Sequence, residues 1–298
     1  GRRQENGCQQ FDRNTCRRTA QQRRKHVFHG FTLFSICRSI DVLPARWYTL
    51  DGKEAISVMK TVLGGIRKAD SDFGMIDSGD HVAVGVSGGK DSLLLLYALS
   101  LYRKFEHKDF ELHGITLKMG LEPFDISPVS DWCKQLGIPF DVVETDIAKI
   151  VFDIRKEPNP CSLCAKMRRG ALNDAAKRLG CNKVALGHHR EDAIETLMMS
   201  IIFEGRLHTF HPNMFLPGAE VTVIRPMVYI SEKHIIHVAR KLELPVVHNP
   251  CPMDGHSRRQ EIKQMIASMC RTYPHLKDNM LAALKNAEQY GLWDKNKI

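Results

Sequence analysis

Apolar residues along the chain fall into two alternating rhythms. From Glu54 onward, Ile56, Met59, Val62, Leu63 and Ile66 stand three or four apart, the spacing of a helix with one buried stripe. Asp80 then precedes a short unbroken apolar run, residues 81–86, which reads as a strand covered on both faces. The same alternation continues. Helices are expected over residues 92–102, 130–136, 162–179, 192–203, 231–242, 257–269 and 276–288, and strands over 110–117, 140–143, 183–186 and 221–224. Strands that alternate with helices predict a Rossmann-like α/β fold, a mostly parallel sheet covered on both faces, here with a helical C-terminal extension. No internal repeat is visible.

Composition narrows the class. With 43% apolar and 26% charged residues in 298, the chain has the make-up of a soluble globular protein large enough for a sizeable core. No apolar run approaches the roughly 18 residues a membrane helix needs. The formal charge of +9 is uneven: residues 1–50 hold ten Lys or Arg against three Asp or Glu, a balance of +7, which leaves +2 for residues 51–298. If the chain binds nucleic acid, it must therefore do so through local patches. Residues 1–50 are expected to be a basic extension, disordered or upstream of the native start. Their Arg-rich, acid-poor make-up leaves an organelle transit peptide as the alternative. Residues 51–298 are expected to form the functional domain. Nine cysteines, an odd number, with no clear secretory signal argue against a disulfide framework. They favour a reducing cytosol with metal-binding or catalytic thiols.

The strongest chemical signal follows the first strand: Ser87-Gly88-Gly89-Lys90-Asp91-Ser92. Two glycines let the backbone approach an anion. The helix expected next offers free N–H groups and the positive end of its dipole. Lys90 adds a cation, the Ser87 and Ser92 hydroxyls add donors, and Asp91 can hold Mg²⁺ on phosphates. The spacing is neither a Walker loop nor a dinucleotide Gly-x-Gly-x-x-Gly. The string resembles the PP-loop of the ATP pyrophosphatases, which cut ATP between the α and β phosphates.

Cys161-Ser162-Leu163-Cys164 follows Pro158-Asn159-Pro160 and opens a helix that continues through Arg168-Arg169-Gly170. Thiols at a helix N-terminus are expected to have lowered pKa values, which suits metal ligation and sulfur nucleophilicity. Cys251, on a Pro-rich loop, is a third candidate. Three thiolates suit a [4Fe–4S] cluster with one iron open. A redox or persulfide pair without a cluster, and a zinc site, which wants a fourth ligand, are the other readings. Cys133, Cys181 and Cys270 read as core residues, and Cys8, Cys16 and Cys37 fall in the basic extension.

A second strand-to-helix edge carries Gly187-His188-His189-Arg190-Glu191-Asp192. It repeats the placement of the first loop and so favours a shared ligand crevice. Asp192 and Thr196 share a helix face, and Asp192 is placed to bind metal or to orient a nucleotide.

Together these motifs resemble the TtcA family of tRNA cytidine 2-sulfurtransferases. The resemblance runs from about Glu54 to Asp294 and includes Ile224-Arg225-Pro226 and Arg259-Gln260. It implies a fold of the adenine nucleotide alpha hydrolase (PP-loop ATPase) type. ATP, Mg²⁺ and a [4Fe–4S] cluster on Cys161, Cys164 and Cys251 are implied with it, as is 2-thiocytidine at position 32 of tRNA as product. It further implies tRNA and a cysteine desulfurase or other sulfur donor as partners, and it is compatible with a homodimer in the cytoplasm. Two departures stand out: Glu191-Asp192 where the family often has Asp-Asp, and Met253-Asp254 where many members have a second cysteine after Cys251.

The expected chemistry is attack of a base carbonyl oxygen on the α-phosphorus of ATP, then displacement of AMP by sulfur. Lys90 and Arg168 face the developing phosphate charge. The basic residues Arg168, Arg169, Lys177, Arg178, Arg258 and Arg259 are expected along the tRNA backbone. Two rival classes are a PP-loop ligase acting on another base or a small molecule without a cluster, and a non-catalytic RNA-binding module with a relic loop.

Overall fold

The computed structural model describes residues 52–286, apart from 157, 158, 254 and 256; the basic extension expected over residues 1–50, with Cys8, Cys16 and Cys37, lies outside them. Helix α1 (Gly52–Phe73) leads to strand β1 (His81–Gly85), α2 (Lys90–Phe105), β2 (Glu111–Lys118), α3 (Ser127–Leu136) and β3 (Phe140–Glu144). A π-helical segment (Lys149–Arg155), α4 (Pro160–Arg178), β4 (Lys183–Ala185) and α5 (Arg190–Met199) follow. A π-helical turn (Ser200–Glu204), β5 (Asn213–Leu216), β6 (Val221–Ile224), α6 (Glu232–Lys241), α7 (Arg258–Thr272) and α8 (Leu276–Lys285) complete the described chain.

The six strands form one sheet in the order β3-β2-β1-β4-β6-β5. All neighbours are parallel except β5 and β6, which pair antiparallel. Strand alternation divides the core between the two faces. Val82, Val84, Leu112 and Ile224 point into the cluster shared with Met59, Val62 and Ile66 of α1 and with Leu93 to Leu96 of α2. Ala83, Ile115, Val184 and Val223 point the other way, onto Leu172, Ala175 and Ala176 of α4. Leu93, Leu94, Leu95 and Leu96 are all fully buried, so α2 is apolar on every side, as a helix enclosed between sheet and neighbouring helices must be. Each such leucine contributes roughly 1.5–3 kcal/mol relative to an exposed position. A third, smaller cluster joins Ile194 of α5 to Ile262 and Ile266 of α7, so the C-terminal helices are anchored on the helix that opens with the second motif.

Chain order positions the site. From β1 the chain steps outward to β2 and β3, then returns to place β4 on the other side of β1. The strand order therefore reverses between β1 and β4, and the crevice beyond their carboxyl ends is where open α/β sheets bind ligands. Both motif-bearing loops, 86–89 and 186–189, leave the sheet there.

Candidate active site

The loop after β1 is held by its own side chains. The Ser92 hydroxyl accepts from the Ser87 amide at 3.1 Å and donates to the Gly89 carbonyl at 2.9 Å. The Ser87 and Ser92 hydroxyls meet at 3.2 Å, and Thr116 of β2 donates to the Val86 carbonyl at 2.7 Å. Gly88 has φ +81°, and a Cβ there would lie 3.3 Å from Cβ of Val247. Glycine is thus required by conformation as well as by space. The Gly88 carbonyl accepts from the Val247 amide at 2.9 Å, so Gly88 is tied to the segment that leads on to Cys251.

Lys90 and Asp91 open α2. Lys90 Nζ lies 3.1 Å from Asp91 Oδ2 and 3.4 Å from Glu232 Oε1, and Lys263 shares Glu232. Burial opposes the Lys90 charge, but Asp91 and Glu232 outweigh it and hold the ammonium above its usual pKa. Lys90 is therefore a fixed cation. The other oxygen of Asp91, Oδ1, is buried with no hydrogen-bond partner and faces His189 Nε2 at 4.0 Å at the mouth of the anion loop.

The loop after β4 is pressed against the same turn. A Cβ on Gly187 would stand 3.0 Å from the Asp91 carbonyl carbon, 3.1 Å from its oxygen and 3.1 Å from the Ser92 nitrogen, so only glycine fits unstrained between the two loops. His189 caps α5 in a reciprocal box with Asp192, whose Oδ2 accepts from the His189 amide at 2.9 Å. His189 Nε2 faces Asp91 at 4.0 Å and Asp192 at 3.4 Å, and Nδ1 faces Glu191 at 3.5 Å. Burial disfavours the imidazolium, yet these three carboxylates together raise the His189 pKa.

Glu191 is committed to structure. It accepts from Arg190 at 2.9 Å and from the Glu232 amide at 2.8 Å, and it pairs with Lys277 at 3.5 Å. Burial pushes its carboxyl up, but His189, the Glu232 amide and Arg190 hold it far below the ordinary range. Asp192 is also partly engaged, with Arg259 Nη1 3.6 Å from its Oδ1.

Cys161 lies in the first turn of α4, which begins at Pro160, and Cys164 stands three residues further on. Contrary to the expectation for a helix N-terminus, both thiols are pushed up. For Cys161 burial is the main cause, with Cys251 adding to it. Cys164 is raised by burial and by the Cys251 and Cys161 thiols, against an opposing Arg168 that reaches its sulfur. Burial, with a smaller contribution from the neighbouring thiols, thus outweighs the favourable helix end, and Cys251 is an electrostatic neighbour of both. Among the described residues, no group of three or more His, Cys, Asp or Glu side chains stands arranged to hold a metal ion, the three thiols included. Cys133 and Cys181 are buried and Cys270 is half-buried against the small C-terminal cluster, as expected of core residues.

A cavity of about 390 Å³ runs from Ser87 to residues beside the thiols; Gly88 to Ser92, Gly187, Asp192 and the three cysteines are not part of its lining. Ser87 of the anion loop, Ala165 and Arg168 beside Cys164, and Pro250 beside Cys251 all line it. On the β2 side its wall is apolar, with Leu117, Met119, Leu121 and Phe124. Sequence reasoning missed this wall, because nothing in those residue types separates a ligand surface from core. On the β4 and β6 side it is lined by His188, Phe210 and Arg225. His188 is held neutral, its pKa lowered to about 4 chiefly by burial.

The basic residues divide. Arg168, Arg169 and Arg259 face the cavity. Arg259 is turned inward to Glu195 at 3.3 Å and Thr196 at 3.2 Å, and Lys177 is paired with Glu220. Arg258 remains exposed, 5.4 Å over the Phe203 ring. Arg168, Arg169, Lys177, Arg178 and Arg258 are all exposed, and Arg259 is half-buried.

The PP-loop domain profile matches residues 66–269. The chain is 39% identical over 233 residues to the tRNA-cytidine(32) 2-sulfurtransferase of Pelobacter propionicus, covering 77% of this chain and 87% of that one. It is 37% identical over 238 residues to the enzyme of the same name from Geobacter sulfurreducens, covering 79% and 93%. Among solved structures, the U34-tRNA thiolase NcsA from Methanococcus maripaludis with its [4Fe–4S] cluster aligns at TM-score 0.63 and 26% identity, covering 78% of this chain and 79% of that one.

Proposed function

Since the chain belongs to the PP-loop family of tRNA-cytidine(32) 2-sulfurtransferases, we propose that it thiolates C2 of a tRNA cytidine, at position 32, at the expense of ATP. The observation that carries this reading is the single cavity that joins the anion loop at Ser87 to the surroundings of Cys164 and Cys251. Activation of a base and delivery of sulfur need to occur within one pocket.

In the proposed reaction the adenine lies against Leu117, Met119 and Phe124, and the phosphates run to the amides of Ser87 to Ser92 at the N-terminus of α2. The cytosine O2 attacks the α-phosphorus. The bond to the bridging oxygen breaks, and pyrophosphate leaves with the electron pair. Lys90, fixed by Asp91 and Glu232, faces the charge that develops on the leaving group. Asp91 Oδ1, which has no hydrogen-bond partner, suits Mg²⁺ on the phosphates, since that ion usually takes one or two carboxylates and completes its shell with water and phosphate. Sulfur at the sulfide level then adds its electron pair at C2, the C2–O bond breaks, and AMP departs with that bond's electron pair, a far better leaving group than hydroxide.

The donor chemistry of Cys161, Cys164 and Cys251 suits a [4Fe–4S] cluster, since three thiols that influence one another electrostatically would leave one iron without a protein ligand. When bound, the cluster supplies a position for the sulfur nucleophile. Metal ligation also lowers the thiol pKa values that burial raises. Arg168 orients Cys164 and faces the cavity between thiols and phosphates. His189 and Asp192 hold the second loop against α2, and His188 forms its cavity edge. The sulfide comes from a sulfur donor, or from a cysteine desulfurase persulfide together with a two-electron thiol reductant that releases it as sulfide. Among the described residues, no helix is long and apolar enough to cross a membrane.

Mass spectrometry of tRNA nucleosides from cells with and without the gene tests the proposal. Loss of 2-thiocytidine on deletion, restored by the intact gene, is the expected result. Unchanged 2-thiocytidine, with loss of a different modification, overturns the choice of base.

A further inference from the structure

We infer that Arg225 reads the N3 edge of the target base and so makes the site selective for cytosine over uracil. The inference rests on the reaction proposed above and on a corner of the cavity to which that reaction assigns no role.

Arg225 follows the end of β6 and is only 6% exposed. Its guanidinium lies 4.7 Å over the Phe210 ring, and its Nη1 donates to the His211 carbonyl at 2.6 Å. Its buried Nε has no hydrogen-bond partner, and its charged neighbour is another cation, Arg169. A guanidinium buried with a free donor and a like charge beside it carries a desolvation cost that an incoming acceptor offsets. The edge that carries Nε–H and Nη2–H is the side-on fork through which arginine grips two adjacent acceptors.

The surroundings select the kind of acceptor. Phosphate already has the Ser87 to Ser92 loop. Here, by contrast, the walls are flat: the His188 ring stands 5.0 Å from Phe210, and both line the cavity with Arg225. Flat aromatic and guanidinium surfaces favour a flat heterocycle. The sheet order also keeps this corner apart from the apolar wall assigned to adenine. Leu117 and Met119 end the β2 side, whereas His188 and Arg225 extend β4 and β6 on the far side of β1.

Cytosine offers adjacent acceptors at O2 and N3, whereas uracil presents an N3–H donor. Arginine has donors only. It therefore satisfies the cytosine edge and leaves two opposed donors against uracil, the kind of mismatch that gives a buried site its discrimination. Donation to N3 also draws electron density from the ring and renders C2 more open to attack by sulfur. The Nδ1 of His188, buried without a partner, belongs to a neutral imidazole that keeps one acceptor nitrogen. That acceptor matches the exocyclic amino group of cytosine, which uracil lacks.

The test uses the full chain carrying its cluster and anticodon stem–loop RNAs with cytidine, 3-deazacytidine or uridine at the target position. In 3-deazacytidine N3 is replaced by C–H. Thiolation kcat/KM for cytidine is expected to exceed that for 3-deazacytidine by roughly ten- to a hundredfold, the worth of one hydrogen bond to a charged group. In R225A this ratio is expected to fall close to one, and R225K should keep an intermediate ratio because it retains a donor. The substrate comparison on the unaltered protein needs no mutation, so poor folding of R225A does not blunt it. Equal handling of cytidine and 3-deazacytidine by the unaltered protein overturns the inference, as does an undiminished ratio in R225A. Failure of the unaltered protein to thiolate cytidine RNA at all removes the proposed reaction, and the inference with it.

Discussion

Gly187→Ala places one methyl group between the two loops of the site. The added carbon meets backbone atoms of Asp91 and Ser92 at 3.0–3.1 Å, so the first turn of α2 must shift by a few tenths of an ångström. Overpacking of this kind costs about 1–3 kcal/mol. A misplacement of ~1 Å costs about a hundredfold in rate, so this smaller shift should lower kcat/KM for ATP by roughly three- to tenfold. Gly170→Ala is the control. Gly170 is in α4, two residues beyond Arg168, and a Cβ there meets nothing within 4 Å. That change should leave activity intact and stabilise the helix by roughly 0.5–1 kcal/mol. Pyrophosphate release with tRNA present, measured against ATP concentration, reads the first effect, and thermal unfolding reads both. Wild-type ATP dependence in Gly187→Ala, with unfolding unchanged, means that the β4 loop does not brace the anion loop.

Two further outcomes follow from the geometry. Cys161→Ser should abolish 2-thiocytidine formation while tRNA-dependent pyrophosphate release persists, because the thiols serve sulfur delivery and not adenylation; loss of both activities in a folded variant contradicts that division. Asp70, 4% exposed, accepts from Tyr102 at 2.7 Å and from the amides of Met75 and Ile76, and it pairs with Lys108. Burial pushes its carboxyl up, but these donors outweigh burial and hold it below the usual 3.8. A depressed folded pKa means stability that is complete above about 3.8 and lost as pH falls through the folded value. Asp70→Asn should therefore cost about 2 kcal/mol at neutral pH and flatten the acid limb of a denaturant-midpoint profile; an unchanged limb removes Asp70 from the set of stabilising acids.

Much of this site is local, and local features are legible in a sequence. The strand-to-helix turn at Ser87–Ser92 places its glycines, hydroxyls and cation by its own chemistry, and its repetition at Gly187 follows from the βα rhythm. Strand β5 escaped notice because its four residues, Asn213 to Leu216, lack alternation of their own and are defined by antiparallel pairing with β6. The π-helical turn Ser200–Glu204 likewise continues the apolar spacing of α5, so periodicity reads both as one helix. The thiols misled for a related reason. Their position at a helix start is sequence-local, whereas the burial and the approach of Cys251 that raise Cys161 and Cys164 come from segments ninety residues apart. Arg259 belongs to the same class, since only the fold shows that it turns inward to Glu195.

The nucleotide products of ATP, counted beside the sulfur incorporated into tRNA, bear most directly on the proposed reaction. With α-labelled ATP, tRNA and a sulfur source, one AMP and one pyrophosphate should appear for each 2-thiocytidine formed, with no ADP. Formation of ADP and orthophosphate, or of 2-thiocytidine without AMP, shows that the base oxygen is not activated as an adenylate in this pocket.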